Sequence, residues 1–312
     1  MKLISFKLLK DSTDYKIGCL VDDQVIDIQK AHKKYVAEKE KVTLLDGEDK
    51  LLPSDPSTFF SLGIPAIHQA KKVCNYIVNT KDEKQEALFN KDDISLSNPV
   101  PSPSKIICVG QNYKEHVSEM ESDIPEFPVL FAKFTNALIG PEDAIRKPSI
   151  TNRLDYEVEL AVVIGKEACN ISKEEAYEYV AGYTIANDTS ARDLQKQTPQ
   201  WLQGKTLDQS TPIGPWIVTP DEIGDPSNLS IRSSVNGEIR QDSNTRHFIF
   251  DIPYLLAYIS KIMTLSPGDL ILTGTPEGVG FAMDPPQFLT EGDRVTLEIE
   301  KIGMMENEVV VR

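Results

Sequence analysis

Met1 to Lys10 alternates apolar and polar residues, and residues 2–9, 15–21 and 24–28 read as short strands with Asp22-Asp23 turning between the last two. In 66–79 the period changes. Ile67, Ala70, Cys74, Ile77 and Val78 recur on one face, which predicts a helix. Ser97–Ser104 reads S-N-P-V-P-S-P-S, and its prolines at every second position enforce an extended connector. A domain boundary is expected there, with a small α+β accessory domain over 1–98 and a larger catalytic domain over 99–312.

Beyond the connector the pattern is strand-rich. Residues 105–110, 128–134, 157–165, 179–188, 214–219, 229–235, 269–273 and 294–301 are enriched in β-branched and aromatic residues. Asn236-Gly237 marks a hairpin turn. Ser172 and Glu175 form a capping box ahead of a helix at 176–180, and Leu255, Leu256, Ile259, Ile262 and Met263 line a helix over 252–263. Strands and helices do not alternate regularly. The fold class expected is therefore α+β and not a doubly wound parallel sheet.

Composition removes several function classes. Lys and Arg number 33 against 48 Asp and Glu, a formal net charge of −15, with no basic cluster to hold nucleic-acid phosphates. The same charge repels anionic lipid, and no apolar run reaches the length of a membrane span. The alternating start does not read as a signal peptide. Cys19, Cys74, Cys108 and Cys169 are far apart with no C-x-x-C pair, so four buried thiols in a reducing cytoplasm are expected.

Five stretches carry candidate chemistry. On a strand over 157–165, Val158, Leu160, Val162 and Ile164 share one face, and Glu157 and Glu159 share the other with Ala161 and Val163. Paired carboxylates on an apolar face are costly unless a cation compensates them. The plain alternative is a strand edge with both in water. Asp188, at the end of the next strand, is either a third oxygen ligand or a helix cap. Three carboxylates without His or Cys suit a hard cation such as Mg²⁺. In Gly110–Glu119, His116 and Glu119 fall on one face if the segment is helical, the arrangement of a proton-transfer pair, against the alternative of an incidental surface pair. Lys205 in Gly204-Lys205 is either a buried cation facing an anionic ligand or a surface lysine. Gly274 and Thr275 in Thr273-Gly274-Thr275-Pro276 lack a P-loop ending and could offer N–H and hydroxyl groups to a carboxylate.

Taken together, Gly110-x-Asn112-Tyr113-x-x-His116-x-x-Glu119, Asp155-Tyr156-Glu157-x-Glu159-Leu160, Asn187-Asp188-x-x-Ala191-Arg192-Asp193-x-Gln195, Gly204-Lys205-x-Leu207-Asp208 and Thr273-Gly274-Thr275-Pro276-x-Gly278-Val279-Gly280 resemble the fumarylacetoacetate hydrolase family from about residue 106 to about 301. The resemblance implies a large mixed β-roll with peripheral helices, usually a homodimer. It implies Mg²⁺ or Mn²⁺ held by Glu157, Glu159 and Asp188, with His116 and Glu119 on a lid. Lys205, Gly274 and Thr275 would face the substrate carboxylate and oxo groups, and Arg192 and Gln195 would lie at or beside the site. Lys133 falls where members carry a lysine, although the proline that follows it in the family is Phe134 here.

The activity so implied is metal-dependent C–C cleavage of a small 2-oxo acid through an enolate at C3. Oxaloacetate decarboxylation comes first and acylpyruvate hydrolysis second. The alternatives are isomerisation or decarboxylation of hydroxymuconate-type intermediates in aromatic-acid breakdown, and a catalytically silent metal-binding protein. The carboxylate trio with a divalent ion is net negative, so an anionic substrate calls for local positive charge, with Lys205 the best candidate.

Overall fold

The computed structural model describes residues 1–10, 14–40, 51–80 and 86–311. Ahead of the proline-rich connector lie β1 (Lys2–Leu8), β2 (Lys16–Val21), β3 (Gln24–Asp27), β4 (Leu88–Asn90) and β5 (Ile94–Ser97). After it come β6 (Ile106–Gly110), β7 (Val129–Lys133), β8 (Leu138–Ile139), β9 (Ile145–Lys147), β10 (Leu154–Asp155), β11 (Val158–Ile164), β12 (Val180–Asn187), β13 (Ser190–Ala191) and β14 (Thr211–Val218). The chain closes with β15 (Ser230–Val235), β16 (Glu238–Asn244), β17 (Leu270–Leu272), β18 (Arg294–Ile299) and β19 (Gly303–Val311).

Every strand expected from the pattern is present. The helix expected over 66–79 begins at Ile64, because Pro65 suits a first helical turn. A helix over Ile28–Tyr35, capped by the Asp27 carboxylate, had no clear signal in the pattern. Asn236 and Gly237 both have positive φ, 52° and 80°, as a type I′ hairpin requires. The Ser172–Glu175 box forms, with the Ser172 hydroxyl 2.8 Å from Glu175 Oε2. It opens only one 3₁₀ turn, Ala176–Tyr179, because Val180 is already held in β12.

A twelve-stranded sheet runs β4-β3-β2-β1-β14-β12-β11-β17-β6-β7, with β5 on β1 and β8 on β14. A five-stranded sheet runs β16-β15-β18-β19-β9. Most neighbours are antiparallel, while β6 and β17, β8 and β14, and β9 and β19 run parallel. The result is a mixed, sheet-dominated α+β fold. Lys2 pairs with Val218 and Leu3 with Ile217, so the large sheet continues across the connector into the first segment.

The two faces of β11 pack differently. Val158, Leu160, Val162 and Ile164 join a core with Val295 and Leu297 of β18 and Leu255 and Ile259 of the helix Ile252–Ile262. Ala161 and Val163 join a second core with Ala66, Ala70 and Val73 of the helix Ile64–Asn79. The strand is therefore covered on both sides, and the strand edge in water considered for Glu157 and Glu159 does not occur. Cys19, Cys74 and Cys108 are buried as expected, but Cys169 is exposed. It follows buried Ala168, which bridges to Leu265, so the next side chain points outward. Among the described residues no helix is long and apolar enough to cross a membrane.

Ile185 of β12 is fully buried opposite Leu160 of β11. Ile185→Ala is expected to lower the unfolding free energy by about 2–5 kcal/mol, read from urea denaturation curves.

Candidate active site

Sheet register brings the acidic trio together. β11 and β12 pair antiparallel with Val158 opposite Asn187, so Glu157 and Asp188 meet just beyond the pair. The Asp188 N–H donates to the Glu157 carbonyl at 2.9 Å, and the Glu157 N–H donates to Asn187 Oδ1 at 3.0 Å. Glu159, two residues along β11, projects to the same side as Glu157. One carboxylate oxygen from each of Glu157, Glu159 and Asp188 lies within 4.8 Å of the others, and all three residues are buried. Asp188 does not cap a helix. Its oxygens are taken by two lysines.

Three buried cations surround this trio. Lys205 Nζ lies 2.7 Å from both Glu157 Oε2 and Asp188 Oδ2. Lys133 Nζ donates to Asp188 Oδ1 at 2.8 Å and to the Thr189 carbonyl at 3.2 Å. Arg192 Nη2 is 2.7 Å from Glu157 Oε1, and its Nε donates to Asp155 Oδ2 at 2.8 Å. Local positive charge thus comes from three side chains, not from Lys205 alone. Lys205 is buried as one of the two readings held, but it is bound to the carboxylates of the trio. Gly204 makes its placement achievable. A Cβ there would lie 2.6 Å from Gln195 Cβ and 2.7 Å from the Ala191 carbonyl, so only glycine lets the turn Leu202–Lys205 stack on the turn Arg192–Gln195.

The environment separates the two glutamates. Burial works to raise the Glu157 pKa, but Lys205 and Arg192 overcome it and hold the carboxyl down at about 2. Glu159 is pushed well above the usual carboxylate range by burial, then by Asp188 and Glu157. Its hydrogen-bond donor is the Gly274 N–H, at 2.8 Å, and no ion pair with a cation is formed by it among the described residues. A buried carboxylate lacking a cation, beside two others in an all-oxygen set, fits a hard divalent ion. Lys205 is itself held above its ordinary pKa, since Asp188 and Glu157 outweigh the burial that would lower it.

His116 of the His116–Glu119 pair faces the same space. His116 and Glu119 lie on the helix Lys114–Glu119 with Nδ1 3.2 Å from Oε2, and Glu119 Oε1 accepts the Gly278 N–H at 2.9 Å. His116, Glu157, Glu159, Gln195, Lys205 and Thr275 line one cavity of about 280 Å³. Arg192 Nη1 donates to Gln195 Oε1 at 3.1 Å, joining those two residues at its wall.

Thr275, expected to face the substrate, lines this cavity, while the polar groups of its loop are bonded to β11. The Gly274 N–H serves Glu159, and the Thr275 hydroxyl donates to the Val158 carbonyl at 3.0 Å. The loop crosses the end of β11, where those groups are the nearest acceptors.

Three residues that hold the site together were not assigned a role from sequence. Asp155 accepts from the backbone N–H groups of Tyr156, Gly280 and Phe281 as well as from Arg192. Asn112 bonds both backbone groups of Phe250 and the Thr273 carbonyl, tying the approach to the His116 helix onto the end of β17. Both stand inside the sequence strings, where adjacency to Glu157 and His116 was the available signal. Gln241 comes from β16 of the other sheet. Its Oε1 accepts the Val158 N–H and its Nε2 donates to Thr275 Oγ1 and the Pro276 carbonyl. A lone glutamine in a hairpin strand carries no sequence signal for this.

Because burial, Asp188 and Glu157 raise the Glu159 pKa, a divalent cation bound there is expected to release a proton and to bind more tightly as pH rises. The gain is expected to approach about tenfold per pH unit until the carboxyl ionises. Calorimetric Mn²⁺ titrations in buffers of different ionisation enthalpy should show proton release, and Glu159→Gln should abolish it together with most of the affinity.

Residues 105–310 match the family model described as Fumarylacetoacetate (FAA) hydrolase C-terminal. The chain is 44% identical over 314 residues to oxaloacetate tautomerase fahd2, mitochondrial, of Xenopus laevis, covering 99% of this chain and 90% of that protein. It is 40% identical over 298 residues to oxaloacetate tautomerase YisK of Bacillus subtilis (strain 168), covering 94% of this chain and 95% of that one. The crystal structure of maleylpyruvate hydrolase from Sphingobium sp. SYK-6, in complex with manganese(II) ion and pyruvate, aligns with a TM-score of 0.75 at 28% identity, covering 100% of this chain and 99% of that one. The family model spans the strands that build the acidic trio, the His116 helix and the Lys205 turn, and the chain is thus an enzyme of the fumarylacetoacetate hydrolase family.

Proposed function

We propose that this enzyme interconverts the keto and enol forms of a small 2-oxo dicarboxylate, oxaloacetate in the first place, by moving a proton at C3. The observation that carries the reading is the His116–Glu119 pair, whose imidazole lines the same cavity as Glu157 and Glu159 of the buried trio. Relatives aligned over most of their length and named oxaloacetate tautomerases support the substrate.

Mg²⁺ or Mn²⁺, held by Glu157, Glu159 and Asp188, would supply Lewis-acid polarisation of the 2-oxo group. The chain's own residues do the rest. Glu119 engages His116 Nδ1, which leaves Nε2 as the nitrogen that takes the proton from C3 and delivers it to the 2-oxo oxygen in the keto-to-enol direction, and carries it back from that oxygen to C3 in the reverse direction. The Gly278 N–H fixes Glu119, so the imidazole keeps one tautomer and one orientation. Arg192 and Lys205 place positive charge beside the substrate's anionic end, and Gln195 lies in the wall next to Arg192.

Cleavage of C3–C4, which the family resemblance put first, is the second reading. A hydrolase of the same architecture, recorded with pyruvate, favours it. Proton NMR of oxaloacetate in D₂O separates the two. Exchange at C3 above the uncatalysed background, without pyruvate, supports tautomerisation, whereas stoichiometric pyruvate and CO₂ overturn it. His116→Gln is expected to slow the exchange by about 10²–10⁴-fold while Mn²⁺ affinity stays at the wild-type value.

A further inference from the structure

One cation of the cavity has no part in the scheme above. Lys196 lines the same cavity as His116, Glu159 and Lys205, directly after Gln195. Its backbone is fixed, because its N–H closes the turn Arg192–Gln195 on the Arg192 carbonyl at 3.2 Å. Its ammonium lies 3.8 Å from the centroid of the Phe281 ring, which also faces the Arg192 guanidinium at 6.0 Å.

Among the described residues Lys196 forms no ion pair with a carboxylate. Partial burial lowers its pKa, and the positive charges of Arg192 and Arg153 lower it further. A lysine at a cavity wall, repelled by its charged neighbours and held over an aromatic ring, is an anion site lacking its anion.

The other cations at the cavity wall are already engaged. Lys205 is bound to Glu157 and Asp188, and Arg192 to Glu157 and Asp155. Lys196 is thus the wall cation left, among the described residues, to meet a further carboxylate on the substrate.

We infer that Lys196 binds the second carboxylate of the substrate and selects 2-oxo dicarboxylates over 2-oxo monocarboxylates. This deepens the function proposed above and rests on it. The first carboxylate sits by the buried trio, and the second reaches outward to the exposed ammonium, so the cavity reads the substrate at both ends. The Phe281 ring keeps the lysine stem from folding away into solvent.

Lys196→Met keeps most of the stem and removes the charge, and Lys196→Arg keeps the charge. On the Mn²⁺-loaded enzyme, Lys196→Met is expected to raise KM for oxaloacetate about five- to tenfold with kcat nearly unchanged. C3 exchange on 2-oxobutyrate should be unaffected, and Lys196→Arg should restore the oxaloacetate KM. A binding measurement stands apart from turnover. Calorimetry should show malate, which has the second carboxylate, weakened by the same factor in Lys196→Met, with oxalate, which has no such arm, unchanged. Equal losses for malate and oxalate, or no loss for either, overturn the inference. A wild-type enzyme without C3 exchange on either oxo acid overturns the proposed function, and the malate and oxalate comparison still decides the role of Lys196.

Discussion

The structure depends on the compensation of charge buried between β11, β12 and the turns that follow them. Glu157, Asp188 and Asp155 are each paired with at least one of Lys133, Arg192 and Lys205 at 2.7–2.8 Å. Removing one partner of such a pair leaves an unpaired charge in a low-dielectric interior, at a cost of about 3–5 kcal/mol. The three cations come from three separate places in the chain, so edge strand β7 and two short turns must reach the same point. Gly204 and the β11–β12 register are the local features that allow it.

Within this balance Glu159 is the exception. Burial raises its pKa, the carboxylates of Asp188 and Glu157 raise it further, and its hydrogen-bond donor is a backbone N–H. Two glutamates two positions apart on a single strand therefore differ in character because only Glu157 is directly ion-paired with Lys205 and Arg192. That asymmetry leaves an electrostatic vacancy of the kind a divalent cation fills. The His116–Glu119 pair is built separately, on a short helix tied down through Asn112 and Gly278, and opens onto the cavity from another side. The carboxylate cluster and the His116–Glu119 pair thus rest on different elements of the fold.

Much of the fold is legible in local pattern, because burial on two faces demands apolar residues at both alternating positions of β11, and the turn at Asn236-Gly237 needs residues that tolerate positive φ. Local pattern fails where pairing with a distant strand decides the outcome. Ser172–Glu175 signals a helix start, yet Val180 is drawn into β12, and the helix stops after one 3₁₀ turn. The proline-rich connector reads as a boundary, yet β1 hydrogen-bonds to β14 across it.

By itself the sequence determined that Glu157 and Glu159 share a strand face, that an apolar strand delivers Asp188 at its end, and that His116 and Glu119 stand one helical turn apart. These are consequences of backbone periodicity, which is local. The tertiary structure alone decided that Lys133, Arg192 and Lys205 converge on those carboxylates, that the Gly274 N–H goes to Glu159, and that Gln241 crosses from the second sheet to hold Val158 and Thr275. Such contacts join residues far apart in the chain. Which charge meets which is set by how the sheets and turns pack, and no local spacing encodes it.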